Sequence, residues 1–258
     1  GLLVYGSVST GFQAGFNQTR TDALTGDDLP NKVDPEKLTA YEVGVKSVLG
    51  EDRGFLNVSA FYYDYRDMQV SVGGLFLLPD GSLDPSRPAF FFTDNAGEAR
   101  IYGIDLQLTE LRLARYLTFS AAAEYLDAKY EDYQTVGPNR QPVNYKGNRL
   151  PRAPEFSATT GLTLDDVPLG AVAKGTFRVE YNYRGKTYFD EDNNALATQD
   201  AIGLVNMSAR IDLNDRWALT ATGRNLTNEE FFDFYAGSNF ANAGEFRTWE
   251  IGATYRWR

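Results

Sequence analysis

The sequence contains no histidine and no cysteine, and only 2 of its 258 residues are methionine. Without histidine, the chain lacks the commonest general base and the commonest metal ligand of proteins. Without cysteine, it has neither a disulfide framework nor thiol chemistry. We therefore predict that the protein is not an enzyme, and we assign no catalytic residue, no metal ligand and no cofactor.

Long hydrophobic runs are also missing. No stretch of about 18 apolar residues occurs, so the sequence predicts no transmembrane helix. The net charge of -10 argues against nucleic acid as a partner, because neutralising phosphates requires a basic surface. The chain opens directly on Leu2-Leu3-Val4-Tyr5, a strand-like run without a signal peptide, and we expect it to be a fragment of a longer protein.

What the sequence does contain is strict alternation of apolar and polar residues. This period of two predicts about ten β-strands. The clearest is the last, whose apolar side carries Trp249, Ile251, Ala253, Tyr255 and Trp257. Similar stripes cover residues 41–46, 102–109, 117–125, 176–184 and 205–213.

The predicted connections alternate between short and long along the whole chain. The short ones lie at residues 50–53, 112–115, 165–168 and 214–215. The long ones lie around residues 10–35, 73–95, 135–150, 189–198 and 227–243, and include turn sequences such as Leu78-Pro79-Asp80-Gly81-Ser82 and Gly137-Pro138-Asn139-Arg140. Short turns on one side and long loops on the other are typical of transmembrane β-barrels.

Three architectures compete at this point. A transmembrane barrel accounts for the alternating loop lengths and for tyrosine and tryptophan near strand ends, which suit interfacial girdles. A soluble β-sandwich also alternates, but it packs bulky aliphatic residues into a dry core and leaves the loop order unexplained. A self-contained ten-stranded barrel, acting as a porin or a surface enzyme, is the third possibility.

Six segments, taken in order, resemble the strand motifs of the TonB-dependent receptor family. They cover residues 5–12, 35–47, 61–69, 95–105, 150–156 and 223–229. Residues 35–47 are similar to the family's "PEx…YExGxK" strand, residues 61–69 to its "FYxxYxDxQ" strand and residues 95–105 to its "NAGxAxxxGxE" strand. One departure is the C-terminus, which ends Tyr255-Arg256-Trp257-Arg258 where the family usually ends on an aromatic residue.

The resemblance implies an all-β, antiparallel transmembrane β-barrel of about 22 strands with an internal plug. Residues 1–258 would supply its C-terminal portion, roughly the last ten strands, and the plug has no counterpart here. The implied location is the outer membrane of a Gram-negative bacterium. The implied function is import of an iron-siderophore-like chelate, cobalamin or a saccharide, energised by the TonB complex. The implied partners are outer-membrane lipid, the plug and remaining strands, the TonB complex and a small-molecule substrate.

Two sets of residues are candidates for binding. Charged residues on the predicted lumen-facing side would contact plug or substrate, with simple hydration of a wide lumen as the alternative. They are Glu42, Lys46, Asp105, Arg178, Arg184, Arg210, Arg224, Glu250 and Arg256. Aromatic residues in or near long loops would form a ligand pocket, with loop self-packing and the upper aromatic girdle as the alternative. They are Tyr188, Phe189, Phe231, Phe232, Phe234 and Tyr235.

Two smaller features remain open. Gly44, Gly103 and Gly252 fall on the lumen-facing side, where a missing side chain allows a plug to approach closely or marks a bulge. The acidic segment Asp190-Glu191-Asp192-Asn193-Asn194 offers oxygen ligands, but it lacks the spacing of a calcium loop. We therefore interpret it as a solvated loop.

Overall fold

A computed structural model of the chain describes residues 1–50, 53–74, 76–82, 84, 86–87, 90–136, 142–236 and 240–257. Parts of the segments discussed above lie outside the described residues: Glu51-Asp52, Gly137-Pro138-Asn139-Arg140, Arg258 and, within the long connections, residues 75, 83, 85, 88–89, 141 and 237–239.

The described residues form seventeen strands and one short helix. The strands are β1 (Leu2–Gln13), β2 (Phe16–Thr21), β3 (Asp28–Val33), β4 (Glu36–Leu49), β5 (Gly54–Gly74), β6 (Phe90–Arg112), β7 (Leu117–Val136), β8 (Pro142–Asn144), β9 (Phe156–Pro168), β10 (Lys174–Arg184), β11 (Thr187–Tyr188), β12 (Thr198–Gln199), β13 (Ile202–Asp212), β14 (Trp217–Arg224), β15 (Phe232–Ala236), β16 (Phe240–Ala243) and β17 (Thr248–Tyr255). The helix is a single 3-10 turn, Ala195–Ala197, capped by the Asn194 side chain. Within the described ranges, no helix is long and apolar enough to cross a membrane.

Ten of the strands build one antiparallel wall. Their order is β1, β4, β5, β6, β7, β9, β10, β13, β14 and β17, so each strand pairs with the next wall strand along the chain. The predicted number of strands is confirmed. A sandwich is wrong, because it requires two facing sheets and all ten strands belong to one. No pairing in the described part of the chain joins β1 to β17.

The connections alternate as predicted. Four are short and five are long. Four of the long ones hold the smaller elements: the hairpins β2–β3, β11–β12 and β15–β16, and β8, which pairs with the end of β7. We call the side of the wall with these long connections the loop end, and the other side the turn end.

One predicted turn is wrong in its position. Asp165 and Asp166 belong to β9, and the turn follows Pro168. The pairing of β9 with β10 shifts register here, and Asp166 has a positive φ of 51°. The Thr176 hydroxyl donates to the Asp165 carboxylate at 2.7 Å. The two acidic residues therefore form a β-bulge, which keeps the strand paired beyond the point where polar residues predicted its end.

A buried hydrophobic cluster lies at the loop end of β5, β6 and β7. Ala99, Tyr130 and Tyr133 form its centre, and Tyr65 and Leu150 are among the residues that pack against it. Many large apolar side chains of the wall, Val8, Val43 and Ile251 among them, are instead exposed.

Candidate functional site

The nine charged residues predicted to line a lumen all fall on one face of the wall. Strand registers link the strands step by step: Asp105 lies opposite Glu124 of β7, and Glu124 lies opposite Ser157 of β9. The same alternation, followed across the other strand pairs, places seven more of the charged residues on this face: Glu42, Lys46, Arg178, Arg184, Arg210, Arg224 and Glu250. Arg256 follows β17 and falls on the same side by the alternation of that strand. We call it the polar face.

The polar face is concave between β1 and β10. A cavity of about 530 Å³ is lined there by side chains of seven neighbouring wall strands, including Tyr5, Glu42, Lys46, Asp105 and Thr159. A wall that curves toward its polar side leaves its apolar side convex, as in a barrel with a hydrated interior.

Two of the glycines on the polar face are covered by rings from neighbouring strands. A Cβ at Gly44 would lie 2.5 Å from the Tyr5 ring, and a Cβ at Gly103 would lie 2.7 Å from the Phe61 ring and 2.3 Å from the Tyr125 carbonyl oxygen. Tyr5 and Phe61 are the direct cross-strand partners of these glycines. Each glycine therefore makes room for an aromatic side chain of the wall itself, which stabilises the pairing.

Charge is distributed unevenly over the polar face. On β10 and β13, Arg178 is paired with Glu180 at 2.7 Å, and Arg210 is paired with Asp212 at 2.6 Å. Between β4 and β7 the balance is acidic, because Asp105 and Glu124 lie directly opposite each other. Like charges in that arrangement repel, so this part of the wall favours a cationic neighbour.

The convex face is apolar and exposed. Ile251 is 86% exposed, and Val8, Val43 and Ile104 are exposed on the same face. Aromatic residues border this apolar band at both ends. Toward the loop end Tyr41 contacts Tyr62 with ring centroids 6.3 Å apart, and toward the turn end Trp217 contacts Tyr255 at 4.8 Å.

The height of the band suits a bilayer. The stretch from Trp249 to Trp257 is nine residues long. A tilted strand needs about 9–11 residues to cross the hydrocarbon core. Both tryptophans are exposed, at opposite ends of this stretch, where interfacial aromatic girdles lie in membrane barrels.

The six loop aromatics are divided between two hairpins. Tyr188 lies in β11, and the Lys186 ammonium lies over its ring, 5.1 Å from the ring centre. The neighbouring Phe189 is buried, with only 9% of its surface exposed. The other four belong to or border β15: Phe231, Phe232, Phe234 and Tyr235. The Phe232 N–H donates to the Gln199 side chain at 2.8 Å, which links this hairpin to β12.

Arginines from the wall and from a loop contact the second hairpin. The Arg152 guanidinium lies 4.8 Å from the centre of the Phe234 ring, and that of Arg184 lies 5.7 Å from the Phe231 ring. A cation over an aromatic face is a stabilising contact. Of the six aromatics, Phe232 is the most exposed, at 47%.

Three of the sequence motifs converge on one hydrogen-bonded node at the loop end of β4, β5 and β6. Buried Glu36 accepts hydrogen bonds from the Tyr65 hydroxyl at 2.5 Å and from the Gln69 N–H at 2.9 Å. The Asn95 side-chain amide donates to the carbonyls of Asp34 at 2.9 Å and Asp67 at 2.7 Å. Each motif is a separate local segment of the sequence, and their meeting depends on strand registers.

A second node organises the long connection before β17. Asn225 is 2% exposed and has a positive φ of 47°. Its amide donates to the carbonyls of Glu229 at 2.8 Å and Glu245 at 2.9 Å, and its side-chain oxygen accepts from the Glu229 N–H at 2.8 Å. One side chain thus joins the beginning and the end of the loop.

The acidic segment after β11 docks against another loop. The side chain of Asn193 exchanges hydrogen bonds with the main chain of Arg149 at 2.8 and 2.9 Å. Burial and the nearby Asp192 and Glu191 raise the pKa of Asp190. Across the described ranges, no group of acidic residues has a geometry suited to holding a metal ion.

The meander, its two unlike faces and its alternating connections define the wall of a β-barrel of the transmembrane type. Residues 1–226 match the family model described as TonB dependent receptor-like, beta-barrel, and the chain belongs to this family. The predicted membership and fold class are confirmed.

Solved receptors share the fold at low sequence identity. The ferric yersiniabactin uptake receptor FyuA of Yersinia pestis superposes with a TM-score of 0.73 and 21% identity, over 98% of this chain and 35% of that one. The ferric preacinetobactin receptor BauA of Acinetobacter baumannii gives 0.70 and 21%, over 98% and 34%. The ferripyoverdine receptor of the outer membrane of Pseudomonas aeruginosa gives 0.65 and 14%, over 98% and 31%.

The chain thus spans about a third of the length of these receptors. Its family consists of receptors and not of enzymes, in agreement with the prediction made from the missing histidine.

Proposed function

We propose that this chain forms about the last ten wall strands of an outer-membrane receptor of a Gram-negative bacterium that imports a scarce nutrient. The favoured cargo is an iron-siderophore-like chelate, with cobalamin and saccharides as the other classes. Energy would come from the TonB complex, acting on a plug that the same receptor contributes. Outer-membrane lipid, the plug and the remaining barrel strands are the partners that this role requires.

The observation that carries the proposal is the contrast between the two faces of the wall. The convex face is apolar between two aromatic borders, which suits lipid. The concave face is lined by charged and polar side chains, which suits a hydrated plug. The likeness to three receptors named for ferric siderophores supports the choice of cargo.

The test is nutrient-limited growth of a strain that lacks the full-length receptor. Iron-starved cells are fed a panel of ferric siderophores, and parallel cultures receive cobalamin or maltodextrins as the limiting nutrient. We expect one ferric siderophore to restore growth only when both the receptor and a functional TonB are present. Growth that depends on the receptor but not on TonB would point to a passive channel and contradict the energised mechanism.

A further inference from the structure

The polar face carries a second cavity near its loop end. It measures about 380 Å³ and lies between β10, β13 and β14 on one side and the loop before β17 on the other. Arg184 and Arg224 reach it from the wall, and Phe231, Asp233 and Glu245 reach it from the loop. None of these side chains takes part in the hydrogen-bonded nodes around Glu36 and Asn225.

The two arginines are paired more loosely than Arg178 and Arg210 on the same face. Arg184 lies 3.6 Å from the Asp233 carboxylate, and Arg224 lies 3.6 Å from that of Glu245. Arg178, on the same strand as Arg184, holds Glu180 at 2.7 Å. The longer separations exceed the usual length of a charge-assisted hydrogen bond, about 2.7–2.9 Å.

Arg184 also has a donor without an acceptor. Its Nε is buried and has no hydrogen-bond partner, and its Nη2 donates only a weak bond to the Phe232 carbonyl at 3.4 Å. A guanidinium carries five N–H donors in a fixed fork that matches carboxylate-like oxygens. A buried donor left unpaired costs free energy, so this geometry favours an additional acceptor.

We infer that Arg184 and Arg224 form an anion-binding subsite, and that it takes a negatively charged oxygen group of the imported chelate. The Phe231 ring beside Arg184 adds an aromatic surface, so the best fit is a chelate whose anionic oxygens are borne on a planar ring. Asp233 and Glu245 occupy the arginines loosely until the ligand displaces them. This assignment rests on the proposed uptake function and specifies its substrate class.

Two ferric probes of matched metal and different charge test the assignment on the full-length receptor. A ferric tris-catecholate is trianionic, whereas a ferric tris-hydroxamate is neutral. We expect Arg184→Gln and Arg224→Gln each to weaken binding of the trianionic probe about tenfold or more, while binding of the neutral probe stays unchanged. Arg66→Gln is the control, because Arg66 on β5 is paired with Asp64 at 2.7 Å and does not line this cavity.

Variants of the two carboxylates distinguish a ligand-binding site from ion pairs that only hold the loop in place. Asp233→Asn and Glu245→Gln remove the competing anions, so binding of the trianionic probe is expected to strengthen. If the ion pairs only hold the loop in place, the carboxylate and arginine variants weaken binding alike, and the subsite is overturned. A wild-type receptor that binds neither ferric probe overturns the subsite, whereas the uptake proposal is decided separately by the growth assays with siderophores, cobalamin and maltodextrins. Binding of the neutral probe alone contradicts only the subsite.

Discussion

The carboxylate of Glu36 accepts a hydrogen bond from the Tyr65 hydroxyl at 2.5 Å, across the boundary between β4 and β5. The same carboxylate accepts the Gln69 N–H at 2.9 Å, and Glu36 is only 8% exposed. A single side chain at the start of β4 therefore fixes a bulged region of β5. This relationship gives the family's "PE" segment a structural role.

Replacing Glu36 with alanine is expected to destabilise the loop end of the wall by about 1–3 kcal/mol, because two donors lose their acceptor. The measurement is urea unfolding of the full-length receptor in detergent. Glu98→Ala on β6 is the control, since Glu98 is exposed. Equal midpoints for the two variants would show that the node contributes nothing to stability.

Asn225→Ala is expected to cost about 2 kcal/mol or more, because it removes three side-chain hydrogen bonds and places alanine at a positive φ that asparagine tolerates better. Asn225→Gly separates these causes, since glycine accepts the backbone angle and still loses the bonds. Limited proteolysis of the loop between β14 and β17 gives the measurement. Protection equal to wild type in both variants would contradict the role of Asn225 in closing this loop.

Ile251→Lys on the convex face is expected to destabilise the receptor in lipid by about 1–3 kcal/mol, because Ile251 lies between the Trp249 border and the middle of the band, where the cost of a lysine is largest. Thr222→Lys provides the comparison, because Thr222 lies opposite Glu250 on the polar face and is expected to tolerate a cation. Folding yield into vesicles reports on both variants. A larger loss for Thr222→Lys than for Ile251→Lys would reverse our assignment of the two faces.

We expect the stability of the loop after β11 to depend on pH through Asp190. Its pKa is raised above the ordinary value of 3.8 by burial and by Asp192 and Glu191. A raised carboxyl pKa means that the folded loop binds the proton more tightly than the unfolded loop does. Loop stability therefore falls as pH rises from 3.8 through the raised pKa, and it stays lower at neutral pH.

The matching substitution is Asp190→Asn, which removes the charge. We expect it to increase hydrogen-exchange protection of the Ala197 N–H at neutral pH and to have no effect below pH 3.8, where Asp190 is protonated. Asp200→Asn supplies a control in the same connection, outside the acidic segment. A stabilisation that is equal at both pH values would rule out titration of Asp190 as its cause.

The individual strands were predictable because apolar and polar residues alternate along each of them. The stripe from Trp249 to Tyr255 forms most of β17, and the stripe at 102–109 lies within β6. Strand ends were less predictable, as the turn assigned to residues 165–168 illustrates. Polar residues in a bulge resemble those of a turn, and only the partner strand distinguishes the two cases.

For the candidate sites, the sequence predicted only which face of the wall carries the charged residues and which loops are rich in aromatic residues. Alternation placed the nine charged residues on one side of the wall, but it could not tell the tightly paired Arg178 from the loosely paired Arg184. That difference depends on the loop before β17, which brings Asp233 to the wall. The aromatic pattern likewise could not show that Phe189 is buried.

The sequence by itself determined the class of protein, since alternation, loop order and family motifs are all local properties of the chain. The tertiary structure decided which distant residues meet: Glu36 with Gln69, Asn225 with Glu245, and Arg184 with Asp233. Those meetings depend on cross-strand registers and on bulges that shift them. A shift of one residue moves every later side chain to the other face, so such contacts become defined only when the wall is assembled.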